Sequence, residues 1–549
     1  MIGAFSAQQI TRPQQQTAKV FRYPAPLKGI DSRISIAEGS LENCVYTYNM
    51  VPAEFGMVVR RGYREWQTDI ETTTGLGVHT VIPFDSVTQD PAKQRLFSVT
   101  NEGIWDTTVL AAVPVLVQAF TETSADAGYG VYTHYVGNNE DDVLFYADSL
   151  NGIYQYDATA DTWARPVGIT GPVLANVNFV VAHKQRLWLI EENSSKAWYL
   201  APGAISGAAT EFFFGPKFRH GGNLVGLFNW SVDGGAGVDD YLVSVSQSGD
   251  VLPYQGDDPA TTAWTLVGTY FIGQVPKGPN IGSEHGGELY LMSSYGLVSV
   301  SNLLKGLETV ATGASSDSNG IATKISQFIR TQMKRTITDY GWSVRVVPSE
   351  GGILISSPIE EGREPIQYFY NIATAAWGMW RGLHINAFDT WNNNVVIGLD
   401  DNRVGYMDVD VDDVKFTPPE EGGNGVPIEW SILSGFNSLE SPALYKQVKL
   451  VRPDFLSIYE PEYVVRARYD YELTEAGLFT PTFFDDPGLW DAGLWGSALW
   501  GSDANSNFTA LQGAWGTGRY VAIVMKGRSR AITRFVGWDV LYTAGGPLV

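Results

Sequence analysis

Carboxylates are the dominant charged groups of this chain, 59 Asp and Glu against 37 Lys and Arg, and their densest run is DVDVDD, Asp408 to Asp413. Asp408, Asp410 and Asp412 alternate, which on a strand puts three carboxylates on one face, where they repel unless water or a divalent cation lies between them. The run opens like a calcium loop. Its sixth position, where such a loop turns on glycine, is Asp413, and its twelfth, where a bidentate glutamate closes the site, is Pro419. Asp408, Asp410 and Asp412 are therefore weak metal candidates. The six histidines (His79, His134, His183, His220, His285 and His384) stand singly, without a second histidine at ligand spacing. EHGGE, Glu284 to Glu288, comes nearest to a ligand cluster, but its paired glycines read as a turn. Cys44 is the sole cysteine, which excludes an internal disulfide and a multi-cysteine metal site, and it reads as a small buried apolar side chain. No phosphate-cradling glycine loop followed by Lys and Ser or Thr occurs, and no G-x-S-x-G elbow. No catalytic residue and no cofactor is expected.

What positions these groups is a repeated hairpin. GIYQYDATADTW, Gly152 to Trp163, is an apolar strand, a polar turn opened by Asp157, and a return strand begun by Trp163. QYFYNIATAAW, Gln367 to Trp377, repeats it, with seven positions from Tyr to Trp in both copies. YQGDDPATTAW, Tyr254 to Trp264, is a third copy with a longer turn. Asp or Asn closes such a turn with its own side chain, and the aromatics supply the buried area. One hairpin cannot bury its own face, so repetition implies a ring or stack of sheets. From about 76 to 415 the pattern recurs at spacings that suit a four-stranded blade. The expectation is an all-β chain with a β-propeller of about seven blade-like repeats over 67–415. An arm and strand segment, 1–66, precedes it; a linker, 416–427, and an antiparallel β-sandwich, 428–549, follow. One short amphipathic helix is predicted in IATKISQFIRTQMKR, with Ile321, Ile325, Phe328 and Ile329 on its apolar face and Lys324, Arg330, Lys334 and Arg335 on the solvated one.

The chain of 549 residues carries a net charge of -22, and the acidity is local. Residues 1–66 sum to +3 and 441–549 to -1, so the middle holds -24. With 17 Trp, 27 Tyr and 25 Phe the chain has ample apolar area for a folded core, and its 59 Gly point to many turns. The start lacks the charged-then-apolar pattern of a secretory signal. The longest apolar run, TVLAAVPVLVQAF from Thr108, is too short to span a bilayer, so no membrane insertion is expected. An acidic wall repels nucleic-acid phosphates, because affinity for them comes from Lys and Arg. Asp257, Asp258, Asp400, Asp401, Asp408, Asp410, Asp412 and Asp413 are the candidates for lining an acidic channel. Arg60, Arg61 and Arg64, the tryptophans Trp490, Trp495 and Trp500 of a turn-rich loop, and Arg528 and Arg530 are the candidates for subunit or adaptor contacts.

The succession of these features resembles the tail nozzle proteins of short-tailed bacteriophages, the family of packaged-DNA stabilisation and tubular tail proteins. The likeness is carried by YPAPLKGIDSRISIAEG with CVYTYNMVPAEFGMVVRRGYREW, by GIYQYDATADTW and QYFYNIATAAWGMWRG, by GLVSVS followed by IATKISQFIR, and by RAITRFVGWDVLY. It implies a structural virion protein without enzymatic activity, assembled in the host cytoplasm as a homo-oligomeric ring, commonly of six copies. The ring docks on a tail adaptor or portal-side ring, with tail fibre or needle proteins as further contacts. DNA passes through it without specific binding. Two other readings are a carbohydrate-recognising propeller of a phage tail tip or cell surface, and a polysaccharide-degrading tail enzyme. Sialidase-type Asp-box turns are absent, and the only cysteine precedes the propeller, where a copper-radical oxidase cannot use it.

Overall fold

The structure, a computed structural model, describes residues 18–32, 36, 39–67, 70, 72–138, 142–233, 238–304, 324–407, 412–413, 426–440, 442–457, 461–476, 506–529 and 531–545. Its strands form a β-propeller. The first blade is Val78–Phe84, Arg95–Thr100, Gly103–Asp106 and Val115–Ala119; the second is Gly130–Val136, Asp142–Asp148, Gly152–Asp157 and Thr162–Ala164. The third is Val177–His183, Arg186–Glu191, Lys196–Tyr199 and Thr210–Phe213. The fourth holds five strands between Leu224 and Phe271, and the fifth only three, Gly282–His285, Glu288–Ser293 and Gly296–Ser299. The closing blade is Ile385–Trp391, Asn394–Leu399 and Val404–Tyr406, and its fourth strand comes from the N-terminal segment, Arg64–Glu65. The ring is thus locked by pairing the two ends of the propeller in one sheet.

Six blades therefore stand as separate sheets, against the seven repeats counted in sequence. The remaining repeat, Ser343–Val347, Gly352–Ser356, Ile366–Asn371 and Ala376–Arg381, fills the gap between the fifth and closing blades but is the start of a ten-stranded sheet. This sheet passes through Gly29–Ile30 and Asn43–Tyr48 to Val426–Ser434, Val521–Ser529 and Glu462–Tyr469. Facing it is an eight-stranded sheet built on the long pair Lys446–Ser457 and Thr533–Ala544. Lys19–Pro24 is added along Thr533–Ala544, and the hairpin of Met50–Ala53 and Gly56–Val59 joins at Arg534 and Phe535. The expected C-terminal sandwich thus incorporates strands from residues 19–59. One continuous apolar core runs from Trp230 and Leu291 in the fourth and fifth blades through Trp377 to Trp430 and Trp538 between the two sheets.

The repeated hairpins are the third and fourth strands of their four-stranded units. Tyr156 pairs with Trp163 and Tyr370 with Trp377. Asp157 Oδ1 accepts from the amides of Thr159 and Ala160 at 2.7 and 3.1 Å, and Asn371 Oδ1 does the same for Ala373 and Thr374 at 3.0 and 3.2 Å. In the third copy Tyr254 stacks on Trp264 with ring centres 5.7 Å apart. The predicted helix is α2, Ser326–Thr336, preceded by a short α1, Val300–Leu304, that sequence reading missed. Together they cover the fifth blade beside its third strand, where the other blades carry a fourth. Helix α2 starts at Ser326 and buries Ile329 and Met333, so its apolar face lies further toward the C-terminus than expected; Ile321 lies outside the described residues.

Where the N-terminal segment crosses onto the propeller, Gly29 has φ +66°, and a Cβ added there lies 2.3 Å from the Trp377 carbonyl oxygen. Gly29→Ala combines a left-handed backbone with a clash against backbone, and is expected to cost about 2 kcal/mol or more. Chemical denaturation checks this, with Gly362→Ala, also at positive φ but with open space around it, as the control for backbone strain alone.

Candidate functional site

A cleft of about 570 Å³ lies where the N-terminal strands, the shared propeller unit and the sandwich meet. Asn49, in the left-handed region at φ 59°, stands at its base. Its side-chain amide donates to the carbonyls of Arg381 at 2.9 Å and Glu429 at 2.7 Å. Its Oδ1 accepts from the Arg381 amide at 2.8 Å and from Arg60 Nε at 2.9 Å. Arg60, buried, continues outward as a fork onto Asp413, with Nη1 to Oδ1 at 2.8 Å and Nη2 to Oδ2 at 2.5 Å. Two-point pairing of this kind fixes orientation as well as charge.

The other charges in the cleft are matched in the same way. Arg381 reaches Glu364 and, at 2.6 Å, Glu475, and its guanidinium lies over the Tyr48 ring at 4.8 Å. Arg528 binds Glu429 at 2.5 Å, with Lys526 3.5 Å from the same carboxylate. Partial burial pushes the Glu429 carboxyl upward, but Arg528 and Lys526 outweigh it and hold it below the ordinary glutamate range. Four cations face four carboxylates, so the cleft gathers neither phosphates nor metal ions. Its chemistry is that of a latch binding three parts of the chain.

Of the sequence candidates, Arg60, Asp413 and Arg528 come together in this latch. Arg61 is exposed, 3.6 Å from Glu350, and Arg64 lies on the strand that closes the last blade. Asp257 and Asp258 lie in the turn between the third and fourth strands of the fourth blade, paired with Lys184 at 2.5 Å and Arg186 at 3.2 Å. Asp400 and Asp401 lie in the turn between the second and third strands of the closing blade, where Asp400 accepts from His384 at 2.8 Å and Asp401 pairs with Arg403. Because strands alternate in direction, these two turns are on opposite faces of the propeller. The structure brings each acidic pair together but not the two pairs. Asp412 belongs to a short strand, Asp412–Asp413, against Val426 and Pro427. Asp408, Asp410, Arg530, Trp490, Trp495 and Trp500 lie outside the described residues. Among the described residues no three His, Cys, Asp or Glu side chains are grouped to hold a metal ion.

The propeller axis is filled by a polar plug that sequence reading missed. Tyr132, from the inner strand of the second blade, donates to Asp389 Oδ2 at 2.8 Å, and Arg345 Nε lies 3.6 Å from that oxygen. Arg345 Nη2 donates to Asn280 at 3.2 Å. The cavity left among these inner strands measures about 20 Å³, space for about one water. Residues some 250 apart in sequence make this plug, and no local motif marks them.

No protein-family model and no curated protein sequence matches the chain. Three solved structures are similar in part. They are the computationally designed Ika8 protein (10% identity, 63% of this chain and 100% of that one, TM-score 0.33), the extracellular domain of the hybrid two-component system BT3049 from B. thetaiotaomicron (11%, 74% and 51%, TM-score 0.40), and the WD40 β-propeller domain of Doa1 (12%, 63% and 96%, TM-score 0.36). At these scores none bears on function, and the propeller assignment rests on the strand pairing described above.

Removing Arg60 leaves the partly buried Asp413 without its cation and takes one of two donors from Asn49 Oδ1, so Arg60→Ala is expected to cost about 3–5 kcal/mol in urea unfolding. Arg61→Ala, one residue away on the surface, is expected to cost less than about 1 kcal/mol. The depressed Glu429 adds stability that is complete above the unfolded glutamate value of about 4.3 and is lost as pH falls through its lower folded value. Glu429→Gln removes that part of the acid dependence of the melting temperature. His384 behaves in the opposite sense: its hydrogen bond to Asp400 raises it, against partial burial, so its contribution is complete below about 6.5 and fades as pH rises through the folded value. Burial holds His79 and His183 below the ordinary value. NMR of histidine-labelled protein is expected to show this order, with Asp400→Asn returning His384 toward the ordinary value.

Proposed function

We propose that this chain is a structural subunit of a tail nozzle, a homo-oligomeric ring around a channel for genome retention and ejection, docked on a tail adaptor ring. The observation that carries the proposal is the rim of the first blade. Its outer strand, Val115–Ala119, is an edge, and Val115, Leu116 and Val117 on it, with Val109, Leu110 and Val113 just before, are all exposed. An uncharged apolar edge strand with free backbone groups is a surface made to be covered. In a chain of net charge -22, association through a strip without charge avoids the like-charge repulsion that other contacts incur.

A second copy of this chain, meeting the strip with a different part of its surface, generates a ring when the rotation closes. In this reading duplex DNA travels between subunits, since the axis of each propeller is plugged by Tyr132, Arg345 and Asp389. The acidity of residues 67–440 keeps phosphates from adhering.

Electron microscopy and mass photometry of the purified chain, alone and with the tail adaptor, are expected to show rings with a central hole. The pair Val115→Lys and Val117→Lys, on exposed positions, is expected to leave the melting temperature within about 2 °C and to abolish ring formation. A folded monomer that joins no tail particle, or tight duplex binding that weakens steeply with salt, overturns the proposal.

A further inference from the structure

Beside the plugged axis, on the face carrying the turns between second and third strands, the second, third and fourth blades and the segment entering the fifth enclose a separate pocket of about 140 Å³. We propose that this pocket binds one residue of a neutral sugar. Its lining is unusually rich in side-chain amides: Asn178, Asn193, Asn223 and Gln247, with the carboxylate of Glu192 and the ring of Tyr340. Each amide carries both donors and an acceptor, and so matches hydroxyl groups in either sense. The Asn178 side chain is half-buried and its Oδ1 lacks a hydrogen-bond partner, so turning the amide over offers that oxygen to a bound hydroxyl. Pro276, Pro279 and Leu224 supply an apolar floor for the C–H face of a pyranose ring. A pyranose ring fills this volume with one face, leaving its outer hydroxyls at the exposed mouth beside Asn193 and Gln247.

Charge selects against other ligand classes. The one cation in the lining, Lys277, is committed: its ammonium is 2.8 Å from Asp126 and 4.2 Å from the Tyr340 ring centre. An incoming phosphate or carboxylate therefore meets Glu192 without a compensating cation. Tyr340 is held rigidly, stacked on Tyr129 at 5.5 Å, which itself stacks on His79 at 4.1 Å. The pocket is thus walled by side chains whose positions are set from below. It is distinct from the latch and from the apolar rim.

Saturation-transfer difference NMR on the full chain tests this with neutral hexoses, N-acetylhexosamines and their short oligomers. Glucosamine serves as a cationic probe, and glucose 6-phosphate and sialic acid as anionic ones. At least one neutral sugar is expected to receive saturation on its ring protons. The double variant Asn193→Gly and Gln247→Ala, both on the exposed rim, with glycine keeping the left-handed backbone of position 193 (φ 56°), is expected to weaken that binding at least tenfold while the melting temperature stays within about 2 °C. No transfer to any neutral sugar, binding by charged probes alone, or undiminished binding in the double variant overturns the proposal. Glu192→Gln separates the cases further: it is expected to preserve neutral-sugar binding within about tenfold, the worth of one hydrogen bond to a charged group against a neutral one. Phosphate binding gained by the wild-type chain counts against the assignment.

Discussion

The Asn49 side chain is the point on which the assembly of this chain depends. Four hydrogen bonds from one carboxamide join the N-terminal segment to Arg381 on the propeller, Glu429 in the sandwich and Arg60 behind it. Each bond is modest alone, yet breaking one strands a buried partner, which costs more than the bond is worth when made. Left-handed backbone at Asn49 allows this aim, and asparagine is among the few side chains that take that conformation readily. The fork of Arg60 on Asp413 then carries the link to the strand that leads into the sandwich.

This junction changes the meaning of the word domain for the molecule. The strand Arg64–Glu65 completes the closing blade, while Asn43–Tyr48 ties the shared unit to Val426–Ser434. The segment 19–65 thus locks the propeller ring and seeds both sheets of the sandwich. An apolar core continuous from Trp230 to Trp538 makes the same statement in hydrophobic terms. The charged latch adds directional pairing where three chain segments meet.

Function separates by surface. The axis is closed by a polar plug, the rim of the first blade is apolar and free of charge, and the pocket beside the axis is lined by neutral amides. The acidic turns carry their own counter-charges in Lys184, Arg186, His384 and Arg403, so local ion pairs soften an acidity that is large only in sum. Long-range repulsion of phosphate depends on that sum, and short-range recognition on the few groups left without partners.

The sequence by itself determined the repeated unit. Tyr156 with Trp163 and Asp157 with its turn are seven or fewer residues apart, so hairpin chemistry is local and legible, as it is for Tyr370, Asn371 and Trp377. Helix α2 was legible for the same reason, through its apolar spacing. Only the tertiary structure decided that one repeat continues into a ten-stranded sheet, that strands from residues 19–59 belong with the C-terminal ones, and that Arg60 faces Asp413 rather than a partner protein. Those pairings join positions more than three hundred residues apart, and a lone arginine or asparagine gives no sign of its distant partner. Turns are dictated by the residues within them, whereas junctions, plugs and pockets come from which blades become neighbours, and that is settled by closing the ring and burying the whole apolar surface together.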